Sequence, residues 1–245
     1  MGEVFHAPCT RSPARLRHDL GMPRGLRILS VALIAAGAVV LADVGVTVAW
    51  EEPVSSIYGA IQQGRAEGEL DDLERSFLAG RSLPDVEGLT DVKAARRLAG
   101  AFEAELETGS GMGRIEIPGI GLDAVIVQGT DTATLQKGPG HYPQTGLPGQ
   151  GTTIGIAGHR TTYLAPFRDI DDIDQTDELV VEVPYGSFTY TVEKTRIVDP
   201  SAVRIVRDVE YERLVLTACH PLYSAAERYA VFGRLTEIEI AGAED

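Results

Sequence analysis

The stretch Leu214-Val215-Leu216-Thr217-Ala218-Cys219-His220-Pro221 reads as a buried strand that ends abruptly, because six uncharged residues run into a proline that cannot extend a sheet ladder. A second stretch has the same shape. Thr152-Thr153-Ile154-Gly155-Ile156-Ala157 stops at Gly158 and delivers His159 and Arg160 into a loop. Both segments put a reactive side chain at the point where regular pairing ends.

Outward from these two, the sequence beyond Gly111 keeps one texture, with short β-type runs separated by Gly, Pro and Asp. Candidate strands are 114–117, 122–127, 152–157, 179–183, 187–198, 213–218 and 229–240. No strand alternates with a helix in the manner of a βαβ unit, so this region predicts an all-β domain over 112–245, closed as an antiparallel barrel.

The chemistry gathers at the strand ends. A thiol of ordinary pKa, about 8.5, is only a few per cent thiolate at neutral pH, so a catalytic cysteine needs a neighbouring base or cation. His159 offers an imidazole able to accept the thiol proton and later protonate a leaving amine. The next candidate strand begins directly after Arg228, nine residues beyond Cys219, which lets a guanidinium face the thiol across a strand pair. A fixed cation with several donors suits the oxyanion formed when a thiolate attacks a carbonyl.

Taken together, Leu214-Val215-Leu216-Thr217-Ala218-Cys219 followed by Arg228 and preceded by Gly158-His159 resembles the signature of the sortases, over residues 112–240. His159, Cys219 and Arg228 fall on that family's His/Cys/Arg catalytic positions. Tyr142 in Gly140-His141-Tyr142-Pro143, His220-Pro221 after the cysteine and the long acidic stem look like class E, with class D next. Ala218 stands where threonine is common, a small-for-small change. The resemblance implies an eight-stranded sortase-type barrel with short helices and substrate contacts at Tyr142, Thr217, Ala218 and His220. It also implies ping-pong transpeptidation with no cofactor or metal. Cys219 would cleave an LAxTG- or LPxTG-like C-terminal sorting motif of a secreted protein between Thr and Gly. An amine of the peptidoglycan precursor would then resolve the thioacyl enzyme.

The N-terminal part fits an anchored enzyme. Residues 1–27 form a basic tail carrying Arg11, Arg15, Arg17, Arg24 and Arg27. Residues 28–50 are apolar apart from Asp43, and Glu51 and Glu52 follow. Those 23 residues span about 35 Å as a helix, enough to cross a bilayer with tilt. Asp43 opposes insertion by about 2.5–3.5 kcal/mol at most, since it lies off-centre. The positive-inside rule predicts a single pass through the plasma membrane, with a cytoplasmic N-terminus and an extracellular catalytic domain. Val40-Leu41-Ala42 also resembles a signal-peptide cleavage site, but the apolar run continues past it. Residues 51–111 carry two apolar patterns of helical period, Leu70, Leu73, Phe77 and Leu78, then Val92, Ala95, Leu98, Ala99, Phe102 and Leu106. Gly80, Pro84 and Gly88 lie between them. With 13 acidic and 6 basic residues, this stem predicts a solvated, partly helical spacer.

A net charge of −14, of which −9 falls within 112–245, makes nucleic acid an unfavourable partner. Cys9 and Cys219, the chain's two cysteines, flank the apolar segment and cannot pair if it spans a bilayer. Adjacent Cys219 and His220 are poorly placed to chelate zinc with His159. The cluster Asp169, Asp171, Asp172 and Asp174 lacks the glycine and bidentate glutamate of an EF-hand loop and reads as a solvated turn. His141 reads as a loop residue, and alternation along the strand turns His220 away from the thiol. No Ser-His-Gly-Cys-type segment of an L,D-transpeptidase surrounds Cys219. The competing reading is a membrane-tethered β-barrel that binds wall polymer or a partner protein, with Cys219 as a buried hydrophobe.

Overall fold

A computed structural model describes residues 24–50, 53–79 and 84–241. The basic tail to residue 23, with Cys9, Arg11, Arg15 and Arg17, lies outside the described residues, as do Glu51, Glu52 and Gly80. The described residues divide into two compact units at the boundary between residues 45 and 46. Helix α1 (Arg24–Trp50), which crosses that boundary, contains a 19-residue apolar window, Arg24–Ala42, of mean hydropathy 2.2. At 1.5 Å per residue that window is about 28 Å long, close to the hydrocarbon thickness of a bilayer. Asp43 falls just past its end, so the apolar window needs no carboxylate within it.

The second unit is built on a closed eight-stranded barrel. Its strands are β1 (Gly111–Ile117), β2 (Leu122–Gln128), β3 (Gly140–His141), β4 (Thr153–Gly158), β5 (Glu178–Val183), β6 (Gly186–Val198), β7 (Arg213–His220) and β8 (Glu227–Ile240). They follow one another around the barrel as β1-β2-β3-β4-β7-β8-β6-β5, and Ile115↔Val181 lies in the ladder that closes it. The strand pattern predicts an antiparallel barrel, and the ladder departs from that in two places. β2 pairs with β3 and β4 with β7 in parallel. Apolar runs carry no sign of direction. Direction is set by the connections, and β5, β6 and the long segment 199–212 return the chain to the same end of the barrel before β7 begins. β3 has two residues, too few to show a period.

Inward residues form one core, with Ile115, Ile126, Ile156, Phe188, Leu214 and Leu216 all 1% exposed or less. On β7 the alternation is clear. Leu214, Leu216 and Ala218 face the barrel interior, whereas Val215 joins Ala230 and Phe232 in a separate cluster under Ile205 and Val206. Thr217 and Cys219 therefore lie on the outer face.

The stem departs from the spacer expectation. Helix α3 (Asp91–Glu103) buries Ala95, Leu98, Ala99 and Phe102 in the main core. Phe102 meets Phe77 and Tyr185 edge to face at 5.3 and 5.5 Å between ring centroids. Truncating an aromatic side chain of this kind costs about 3–5 kcal/mol. Helix α2 (Pro53–Ala79) lies along β2, burying Ala66 and Leu70 against Val125 and Val127. Gln63 completes the docking, accepting from the Val125 N–H at 2.9 Å and donating to the Val125 and Lys137 carbonyls. Glu67 and Asp123 both pair with Arg114. Of the barrel-facing positions 59, 63, 66 and 70, Leu70 belongs to the apolar pattern of the sequence, whereas Gly59, Gln63 and Ala66 are too weakly apolar for periodicity to announce.

Candidate active site

Three neighbouring strands end together. The parallel β4–β7 ladder finishes at Gly158↔Ala218, so His159 leaves β4 beside Cys219. The antiparallel β7–β8 ladder sets Cys219 directly opposite Arg228. Paired residues on one face stand about 4.5–5.5 Å apart at the backbone, so the three side chains rise from adjoining positions at one end of the barrel.

Cys219 is a free, partly exposed thiol. His159 is half-buried, its Nε2 is fully covered and has no hydrogen-bond partner among the described residues, and burial lowers its pKa from the ordinary histidine value. A covered ring nitrogen with no protein partner is an unmet hydrogen bond. Arg228 donates from Nη1 to the Ala225 and Glu227 carbonyls, 3.0 and 2.9 Å away, which ties its guanidinium to the turn between β7 and β8.

A groove runs from Arg228 and Thr217 along the outer face, walled by Tyr142, Gln144, Val198 and Val203. The Tyr142 hydroxyl lies 2.9 Å from Thr217 Oγ1. Gly155 makes this possible. A Cβ there would stand 2.7 Å from the Tyr142 ring, so any larger residue pushes the tyrosine off β4. The far wall, segment 199–212, is pinned by Arg213, which donates from Nη2 to the Ile205 and Arg207 carbonyls at 2.8 and 2.9 Å.

The sequence profile of the sortase domain family matches residues 115–236. Sortase D of Bacillus subtilis is 34% identical over 166 residues, covering 66% of this chain and 81% of that protein. The chain belongs to the sortase family. Sortase SrtE1 of Streptomyces coelicolor is 28% identical over 158 residues, 58% of this chain and 44% of that protein. The solved structure of sortase E from Streptomyces avermitilis superposes with a TM-score of 0.51 at 30% identity, covering 57% of this chain and 96% of that one. Sortases are cysteine transpeptidases, and this sortase has the barrel and strand ends described above.

Two of the residues marked in the sequence sit behind the groove in this sortase. Ala218 is in the barrel core, and the His220 ring packs on Tyr229 with its Nδ1 3.4 Å from Arg160 Nη1. His141 is buried in β3, with Nδ1 2.7 Å from Gln128 Oε1 and Nε2 2.9 Å from the Gly146 carbonyl.

Arg160 is the residue that sequence reasoning passed over. It is 4% exposed, donates from Nε to the Arg168 carbonyl at 2.9 Å and pairs with Asp171, whose carboxyl it holds below the usual range. Asp171 is thus engaged by an arginine rather than standing as part of an open acidic turn. An arginine directly after the histidine and eleven residues before an acid was the available signal.

The turn beyond His159 is held in an unusual conformation. Tyr163, Leu164 and Ala165 have φ of 52°, 67° and 44° in succession. Each non-glycine residue kept left-handed costs about 1–3 kcal/mol and persists only where its surroundings enforce it.

Burial lowers the pKa of His141 as well as His159. Both imidazoles take up a proton less readily in the native state than in the unfolded chain, which does so near the ordinary value of about 6.5. Their contribution to stability is complete above that value and is lost as pH falls through it toward the lowered native values. The melting temperature of the full chain in detergent is therefore expected to fall between pH 7.5 and 5.5. His141→Gln, which keeps a donor toward Gly146, should make the slope shallower, and an unchanged slope would remove His141 from the account.

Proposed function

We propose that this sortase is a membrane-anchored transpeptidase that cuts a C-terminal sorting motif, LAxTG- or LPxTG-like, between Thr and Gly, with Cys219 as nucleophile. The single observation that carries the assignment is the register Gly158↔Ala218 and Cys219↔Arg228, which gathers imidazole, thiol and guanidinium on three consecutive strands beside a groove.

As the sulfur attacks the threonine carbonyl carbon, the neutral His159 imidazole takes the thiol proton and a C–S bond forms. Arg228, with Nη1 engaged by the turn carbonyls, offers Nε and Nη2 to the oxyanion. The C–N bond then breaks, and the imidazolium returns its proton to the departing glycine amine. An amine of the cell-wall precursor attacks the thioester and gives up a proton to His159; the amide C–N bond forms as the C–S bond breaks, and the imidazolium passes that proton to the departing sulfur, which restores Cys219. Tyr142, Thr217, Val198 and Val203 line the groove that would hold the peptide before the cut. Helix α1, preceded by arginines and followed by glutamates, would anchor the chain with its N-terminus cytoplasmic and the barrel outside.

The test is incubation of the full chain in detergent micelles with LAxTG and LPxTG peptides and an amine acceptor, read by mass spectrometry. A product joining the acyl part to the acceptor, together with an acyl adduct on Cys219, is expected for at least one motif. If the thiol forms no adduct with either peptide and alkylates no faster than a free cysteine, the binding-module reading replaces this one.

A further inference from the structure

The strained turn after His159 is wedged in place by the stem. Gly59 of α2 packs so closely on it that a Cβ there would stand 2.9 Å from the Tyr163 carbonyl carbon and 3.1 Å from the Leu164 nitrogen. These are backbone atoms, so the helix and the turn fit only while position 59 lacks a side chain. Beside this contact the Tyr58 ring meets Tyr163 edge-on at 6.1 Å, and Tyr163 in turn lies 5.5 Å from the His159 ring. The same turn is closed by Phe167 N–H donating to the His159 carbonyl at 3.0 Å, so His159 backbone and ring both belong to it. Gln63, one helical turn on from Gly59, locks α2 to β2 and fixes the wedge at that height.

We propose that α2 is a positioning element of the active site. Tyr58 and Gly59 hold the left-handed turn 163–165, and Tyr163 seats the His159 imidazole. The proposal rests on His159 being the acid–base group. It gives the helix that follows the apolar segment a part in turnover that a plain spacer would not have. It also makes Tyr163 a positioning residue, acting through its ring rather than its hydroxyl.

Gly59→Ala separates this from an ordinary stability effect, because alanine favours a helix interior over glycine. Gly64 lies in the same helix with nothing near its would-be Cβ, so Gly64→Ala is the matched control. In the full chain in detergent, Gly64→Ala should leave peptide turnover at the wild-type rate. Gly59→Ala and Tyr163→Ala should each lower kcat about tenfold through misplacement of the imidazole, with KM within about twofold. Tyr58→Ala changes a partly exposed side chain that cannot unfold the barrel, and should lower kcat in the same sense. Tyr163→Phe keeps the ring and should restore the wild-type rate. A His159→Ala sample run alongside distinguishes the two ideas. If it turns over like wild type, the acid–base assignment and the wedge fall together. If it is inactive while Gly59→Ala, Tyr58→Ala and Tyr163→Ala all match wild type, the wedge alone is overturned.

Discussion

Replacing Cys219 by alanine is expected to end acyl transfer while leaving the barrel intact. The thiol is partly exposed at the last turn of a ladder whose backbone partners, Arg228 on β8 and the Gly158–His159 exit on β4, do not depend on sulfur. A change at such a site shifts stability by only about 0.5 kcal/mol. No other thiol exists in residues 46–245 to take over the acyl group, so the loss should be complete within detection. His159→Ala keeps the nucleophile but removes the proton carrier and should lower kcat about 10²–10⁴-fold. Mass-spectrometric detection of the ligated peptide, together with melting curves of the same samples, measures both. Ligation by Cys219→Ala at more than a trace would end the assignment of the nucleophile, and a large drop in melting temperature would show that the sulfur has a packing role the geometry does not reveal.

The strands that carry this chemistry were legible because burial on both faces leaves an uninterrupted apolar run. Gly158 and Pro221 mark where β4 gives way to the His159 loop and where β7 stops, in sequence as in space. Parallel pairing of those two strands was not legible, because Ile154, Ile156, Leu214 and Leu216 fill the core equally well in either direction. The docking of α2 escaped notice for a different reason. Beyond Leu70, its contact with the barrel is made by Gly59, Gln63 and Ala66, which act through close approach and backbone hydrogen bonds, and hydrophobic periodicity registers neither. Arg160 shows the limit most clearly. Strand alternation already turned His220 away from the thiol, but Arg160 lies in the loop past β4, where no period could show that it faces His220 instead of the groove.

Removing the Asp171 carboxylate should cost the fold stability well beyond an ordinary surface change. Arg160 is 4% exposed, and its guanidinium is held by one carboxylate, one carbonyl and a ring nitrogen. In Asp171→Ala the cation stays where water reaches it poorly, and stranding a buried charge costs about 3–5 kcal/mol. The Asp171 side chain is 40% exposed, which admits solvent to one side of the pair and places the effect near the lower bound, about 3 kcal/mol. For a unit of this size that is a fall in melting temperature of about 6–12 °C. The loss should depend on the cation rather than on the missing contact, so Arg160→Leu added to Asp171→Leu should recover much of the stability lost in Asp171→Leu alone. Melting curves for both single variants and the double complete a thermodynamic cycle. Additive losses would mean that Arg160 and Asp171 act independently and that the salt bridge does not carry the turn following His159. A recovered double variant with sluggish turnover would show that the pair's remaining role is to hold that turn in register with the thiol.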